Sequence, residues 1–345
     1  MSMIFELIQE NLELSKTEVL SLIDSKEYIL EDNLLIINET VPKKIYERFA
    51  YTKYCYELLF ESKEKDLIEK LKNYSWEKVY ETNFCARIHK TKKSVRNINL
   101  SENEIAGIIW KDLKNPKVEL RKPVTEIVIM LSGKSLRVCK KIILEKEKFE
   151  DRRAHLRPEK MPTGMHPKLA RCCVNLTGIK EGIFVDPMCG AGGFLFEAEL
   201  MGFKSKGYDI DETVLKKAKI NLEHYNIFSE LKIKDVTKLK EELKYVATDM
   251  PYGHNAKLSE ERDELYKKVF KTLEKRLTGT AVIILPDCID FKSMLNETKL
   301  VLKKELEMRM HNSLTRKILI IENNFFFQGA SKKRAQGFSK AKPFV

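Results

Sequence analysis

Four acidic residues stand along the second half of the 345-residue chain, each where an apolar run gives way to a turn: Asp186, Asp209, Asp235 and Asp249. The first lies in Val185-Asp186-Pro187-Met188-Cys189-Gly190-Ala191-Gly192-Gly193-Phe194. A carboxylate followed by glycines lets the backbone approach a ligand closely and offers it the free N–H groups of a following helix. The spacing is not G-x-G-x-x-G, because Leu195 takes the place of the third glycine. Asp209, in Gly207-Tyr208-Asp209-Ile210-Asp211, follows about 20 residues later, where a carboxylate binds ribose hydroxyls. Asp235, followed by Val236, is placed to accept from an exocyclic adenine amine. A dinucleotide and an adenosine-bearing ligand both satisfy these three positions.

The fourth position separates them. Val246-Ala247-Thr248 runs into Asp249-Met250-Pro251-Tyr252-Gly253, a carboxylate, a proline-fixed turn and an aromatic in five residues. Together they make a receptor for a flat, amine-bearing base: the ring stacks, while the carboxylate and a backbone carbonyl accept from its N–H groups.

These turns need strands to carry them. From about residue 160 the pattern is strand, turn, helix, repeated: Ile183–Val185 then helix Gly193–Met201, Lys206–Tyr208 then helix Thr213–Tyr225, Leu231–Ile233, Tyr245–Thr248 and Ala281–Leu285, with a final pair at Leu306–Met308 and Lys317–Ile321. Such alternation means a doubly wound parallel sheet, whose ligands sit at the carboxyl ends of its strands. The first half reads as α+β. Ile4–Ile8 precedes a helix Ser15–Ile23 with Ser15 as N-cap, then a hairpin of Tyr28–Leu30 and Leu34–Ile37. A helix Asp66–Leu71, a strand Asn83–Ile88 and a helix opening on the capping box Ser101/Glu104 follow, with strands at Val118–Leu120, Glu126–Met130 and Leu136–Ile143. The charge-rich stretch Glu145–Arg157 reads as a linker.

The composition has 43% hydrophobic residues, enough for a sizeable core, and 63 Lys+Arg against 51 Asp+Glu leave a net charge of +12. The excess favours a polyanionic partner. No apolar run approaches the roughly 20 residues of a membrane span, the first residues lack the layout of a signal peptide, and a cytoplasmic protein is expected. The seven cysteines form no CxxC pair and the six histidines no ligand spacing, so no metal and reduced thiols are expected.

The Asp249–Tyr252 turn resembles the strand-four motif [Asp/Asn/Ser]-x-Pro-[Tyr/Phe/Trp] of AdoMet-dependent methyltransferases of nucleic-acid exocyclic amines, with Met250 where proline is commonest. Over nearly the whole chain the sequence is similar to the THUMP-domain tRNA (guanine-N2) methyltransferases, archaeal enzymes acting at tRNA position 10 among them. The likeness rests on Asn83-Phe84-Cys85-Ala86-Arg87-Ile88, the Glu104–Leu113 helix with Trp110, Val118-Glu119-Leu120-Arg121-Lys122-Pro123, Met165-His166-Pro167-Lys168-Leu169-Ala170-Arg171, the Asp186–Gly193 turn and Ser313-Leu314-Thr315-Arg316.

The resemblance implies a ferredoxin-like α+β unit at 1–60, a THUMP RNA-binding domain at 61–145, a basic linker at 146–164, a Rossmann-like class I methyltransferase domain at 165–330 and a basic tail at 331–345. It implies S-adenosyl-L-methionine held by Met165, Asp186, Gly190, Gly192, Asp209, Ile210, Asp235 and Val236, with catalysis by Asp249, Met250, Pro251 and Tyr252. Positive side chains crowd the THUMP-like region at Arg87, Lys92, Lys93, Arg121 and Lys122, and the linker at Arg152, Arg153 and Arg157. Both sets suit phosphate contacts with tRNA. The competing readings are methylation of another guanosine in tRNA or rRNA, an N6-adenine methyltransferase, and an RNA-binding chaperone with a degenerate catalytic half.

Overall fold

The structure is a computed structural model that describes residues 2–25, 27–145, 147–160, 164–252, 256–311 and 314–324. The basic tail at 331–345 lies outside the described residues, as does Ser313. The chain divides into two units, Met1–Glu147 and Lys148–Val345.

The first unit is a single seven-stranded sheet with helices packed on it. In chain order its elements are β1 (Met3–Leu7), α1 (Leu12–Ile23), β2 (Ile29–Glu31), β3 (Leu34–Ile37), α2 (Lys43–Tyr46), β4 (Thr52–Ser62), α3 (Leu67–Asn73), β5 (Phe84–Lys90), α4 (Glu102–Trp110), β6 (Thr125–Ser132) and β7 (Ser135–Lys141). The strand order is β2-β3-β1-β4-β7-β6-β5. Alternation along β1 turns Met3, Phe5 and Leu7 toward Val19 and Leu22 of α1, and Ile4 to the opposite face. A second core gathers Trp76, Phe84, Ile105, Ile109, Ile127 and Val138 with Leu67 and Leu71 of α3.

The division expected at 60/61 falls inside β4, which pairs with β1 through Thr52–Glu57 and with β7 through Tyr56–Ser62. A cluster of Ile4, Ile36, Tyr56, Val128, Met130 and Cys139 draws on both halves of that sheet. Two local expectations also change. The first helix starts at Leu12 behind a 3-10 turn, so Ser15 is an interior residue whose Oγ donates to the Asn11 carbonyl at 2.8 Å. Val118–Leu120 forms no strand, only a bridge between Val118 and Phe84. The Ser101/Glu104 capping box is formed, with both reciprocal hydrogen bonds.

The second unit opens with 3-10 turns at Phe149–Arg152 and Ala154–Leu156. It continues as α5 (Pro167–Leu176), β8 (Ile183–Asp186), α6 (Gly193–Leu200), β9 (Lys204–Asp209), α7 (Glu212–His224), β10 (Glu230–Ile233), β11 (Leu243–Asp249), α8 (Ala256–Arg276), β12 (Leu277–Pro286), α9 (Phe291–Asn296), β13 (Leu300–His311) and β14 (Leu314–Asn323). The strand order is β10-β9-β8-β11-β12-β14-β13. The first five strands of that order run parallel, as the alternating pattern requires. The last two are antiparallel to their neighbours. Two residues separate β13 from β14, too few for the crossover a parallel pair needs. The chain leaves β8 toward β9 on one side and β11 flanks β8 on the other, so the crevice of a doubly wound sheet lies at the tips of β8 and β11.

Candidate active site

All four acidic residues sit at or just beyond the carboxyl ends of parallel strands: Asp186 closes β8, Asp209 closes β9, Asp235 follows β10 and Asp249 closes β11. Asp186 is buried, its Oδ1 accepts the Met188 N–H at 3.2 Å, and burial pushes its carboxyl up to about 8. The glycine turn reaches the next tip directly: the Gly190 N–H donates to Asp209 Oδ2 at 2.9 Å. Gly190 and Gly192 hold φ of +50° and +79°, the left-handed region that glycine enters without penalty. Gly192 is the N-cap of α6, and a Cβ at Gly190 or at Gly193 would project into open space.

Asp209 Oδ1 accepts the Asp211 N–H at 3.0 Å, and Asp235 Oδ1 accepts from both the amide and the hydroxyl of Thr237. Ile210, between Asp209 and Asp211 in sequence, is 73% exposed, while Val236 and Met165 are buried. The carboxylates of Asp209 and Asp235 supply acceptors for the hydroxyls and amine of an adenosine, and the glycine turn, open at Gly190 and Gly193, leaves room at the N-terminus of α6 for a charged tail. S-adenosyl-L-methionine fits this site.

At the tip of β11 the Asp249 carboxylate is enclosed. The Tyr252 hydroxyl donates to Oδ1 at 2.9 Å, and Nη2 of Arg316, on β14, lies 3.4 Å from Oδ2. Burial raises the Asp249 pKa, opposed by the Arg316 charge and the Tyr252 hydrogen bond. Burial and the neighbouring carboxylate push the Tyr252 phenol up, so it stays a neutral donor. The turn is pinned at each residue: the Met250 N–H donates to the Ile284 carbonyl at 2.9 Å, Tyr266 Oη to the Pro251 carbonyl at 2.8 Å, and Arg262 Nη1 to the Tyr252 carbonyl at 2.9 Å. These bonds fix the turn although Met250 replaces a more rigid proline. The Met250 side chain is itself buried, in the core that holds Tyr266 and Phe270.

Arg316 was legible only as part of a motif, with no role attached. Its guanidinium is largely buried 5.6 Å from the centre of the Tyr252 ring, and among the described residues its Nε and Nη1 have no hydrogen-bond partner.

The basic residues divide. Lys92, Lys93, Arg121 and Lys122 are exposed. Arg87 is tied down, Nη1 to Glu102 at 3.0 Å and Nη2 to the Leu120 carbonyl at 2.9 Å. The linker arginines correct the expectation of a phosphate-binding surface there. Arg152 is buried with Nε and Nη2 on the two oxygens of Glu197, at 2.8 and 3.1 Å, and Arg171 Nε adds a third contact at 2.9 Å. Arg157 is buried with its guanidinium 4.7 Å from the Phe196 ring. The reason is Glu197, a carboxylate of α6 with no solvent exposure, which must be compensated by cations from outside its helix. Arg153 is half-buried and pairs with Glu150 at 2.8 Å.

Comparison with known proteins bears on the same residues. A family model described as RMKL-like, methyltransferase domain, matches residues 154–318, which include all four acidic tips and Arg316. The tRNA (guanine(10)-N2)-dimethyltransferase of Methanothermobacter thermautotrophicus is 34% identical over 288 residues, 81% of this chain and 85% of that protein. The enzyme of the same name from Pyrococcus abyssi is 31% identical over 321 residues, 90% and 96% of the two chains. Among solved structures, TrmN from Thermus thermophilus aligns over 94% of this chain and 100% of its own, with a TM-score of 0.49 and 14% identity. With relatives above 30% identity along most of both chains, the sequence is that of a methyltransferase, and it belongs to the family of the tRNA (guanine(10)-N2)-dimethyltransferases.

Proposed function

We propose that this chain methylates the exocyclic N2 of guanosine 10 in tRNA, forming N2-methylguanosine and then N2,N2-dimethylguanosine, in the cytoplasm. The observation that carries the reading is the Asp249 carboxylate, enclosed by Tyr252 and Arg316 at the tip of β11, beside a crevice suited to S-adenosyl-L-methionine. That donor supplies a methyl group already activated on a sulfonium, so no covalent nucleophile is required of the protein. Cys189, buried in the glycine turn, plays no such part.

The guanine amine is a poor nucleophile because its lone pair is delocalised into the ring, and removing a proton from it beforehand is costly at neutral pH. Positioning therefore carries the reaction. Asp249 accepts one N2–H and the Met250 carbonyl the other, which directs the lone pair out of the ring plane. A carboxylate has about four lone-pair sites, so the contacts with Tyr252 and Arg316 leave room for this bond. Once N2 carries the new methyl it becomes acidic, and Asp249, whose proton affinity burial has raised, takes the proton. The guanine stacks on the face of Tyr252 away from Arg316, and must leave its own stack to do so. Exposed Lys92, Lys93, Arg121 and Lys122 bind phosphates of the tRNA from the THUMP-like unit.

The test is methylation of an unmodified tRNA transcript with labelled S-adenosyl-L-methionine, followed by nucleoside analysis and mapping. Label in N2-methylguanosine at position 10 is expected; label in another base, or at another guanosine only, overturns the assignment. Asp249→Asn should lower kcat by about 10²- to 10⁴-fold while the donor still raises the melting temperature.

A further inference from the structure

With Arg152 and Arg157 buried, the positive charge of the second unit must be sought elsewhere. A groove of about 420 Å³ runs between the 3-10 turn Val236–Lys238 and the C-terminal half of α8, and six cations line it: Lys238, Lys240, Lys268, Lys271, Lys275 and Arg276. Among the described residues no acidic side chain lines it. We infer that this groove is a seat for the sugar-phosphate backbone of RNA on the methyltransferase unit, an inference that rests on the tRNA reading above.

Helix geometry is the first support. Lys268, Lys271 and Lys275 follow an i, i+3, i+7 spacing, which puts them on one face of α8 over about 10 Å. The opposite face is anchored by Val269, Phe270 and Leu273 in the core, and Thr272 Oγ1 bonds the Thr237 carbonyl at 3.4 Å. The cations thus stand on a fixed backbone.

Pairing is the second. Exposed lysines elsewhere on the second unit pair with carboxylates, such as Lys292 with Glu305 and Lys303 with Glu322. In the groove only Lys238 has one among the described residues, Asp235 at 3.5 Å. The neighbouring acids are engaged elsewhere: Glu241 holds Lys234, and Glu274 accepts the Lys299 N–H. Five cations brought together without counter-charge repel one another within a Debye length, a cost that a polyanion reverses. Protein interfaces are depleted in lysine and built on aromatic anchors, and Leu239 is the one apolar residue here, so phosphate is the better fit.

The experiment uses the full chain and an unmodified tRNA transcript, with the dissociation constant measured from 50 to 300 mM salt. Lys268→Gln/Lys271→Gln/Lys275→Gln should weaken binding at least about tenfold near 150 mM salt and flatten the slope of log K against log salt by roughly 0.7 to 0.9 per charge. Each single substitution should flatten it by one such step. The donor's effect on the melting temperature should be unchanged. The control triple Lys204→Gln/Lys216→Gln/Lys219→Gln removes the same charge outside the groove and should leave affinity within about twofold. Unchanged affinity and slope in the groove variants, or equal loss in the control, overturns the groove while the tRNA reading stands. Failure of the unaltered chain to bind tRNA overturns both.

Discussion

Asp249 sits between two opposed influences, burial that raises its pKa and the Arg316 guanidinium that lowers it. Only the ionised carboxylate can take the proton that N2 releases, so activity should fall on the acid side of a pH profile as Asp249 takes up a proton. Arg316→Gln removes the opposing charge and leaves burial in place. The acid limb of kcat/KM should then move to higher pH, so that the loss of kcat/KM is larger on the acid side of the profile than on its plateau, and Arg316→Lys should move it part of the way back. An acid limb that stays in place would show that Arg316 does not act through Asp249. This pair illustrates what the sequence could and could not disclose. Asp249, Pro251 and Tyr252 are contiguous, and their chemistry reads directly from their order. Arg316 approaches from β14, 67 residues along the chain, and nothing in its own neighbourhood says that its guanidinium lies over Tyr252.

Among the elements, β11 matters most, because its end places Asp249, and its seat on β12 depends on Gly279. A Cβ at that position would stand 2.2 Å from the Lys244 carbonyl oxygen, where the β11–β12 register shifts between Leu243 and Tyr245. Backbone cannot swing aside as a side chain can. Gly279→Ala should cost about 1–3 kcal/mol, read as a lower melting temperature by calorimetry, with methyl transfer falling more than donor binding because Asp249 moves with its strand. An unchanged melting temperature would refute the clash. Elements defined by local rules were the legible ones: the Ser101/Glu104 capping box and the acidic strand tips need only neighbours in sequence. Those decided by tertiary context were not. Ser15 has the chemistry of an N-cap, yet the preceding 3-10 turn starts the helix one turn earlier, and the β-prone Val118–Leu120 lacks a partner beyond Phe84.

At the scale of the molecule, the +12 charge has two fates that composition cannot separate. Part is structural: Arg152 and Arg171 neutralise a carboxylate inside the second unit. Part has no carboxylate partner among the described residues, on Lys92, Lys93, Arg121 and Lys122 and on Lys268, Lys271 and Lys275 of α8. Arg152→Met should therefore destabilise the second unit by about 3 kcal/mol, a fall in melting temperature of roughly 6–12 °C, and leave the salt slope of tRNA binding unaltered. A flatter slope with an unchanged melting temperature would return Arg152 to the RNA surface. The partner of Arg152 is 45 residues away on α6, so a linker rich in charge could not disclose that its arginines point inward.

The first unit carries a different consequence, through β4. One eleven-residue strand borders both β1 and β7, and its register shifts between Leu58 and Phe60. What reads along the sequence as two modules is therefore one heritable block. Recombination that exchanged the first sixty residues for those of another protein would have to restore both edges of β4 and that shift together, which ties the evolution of the two halves to a single strand.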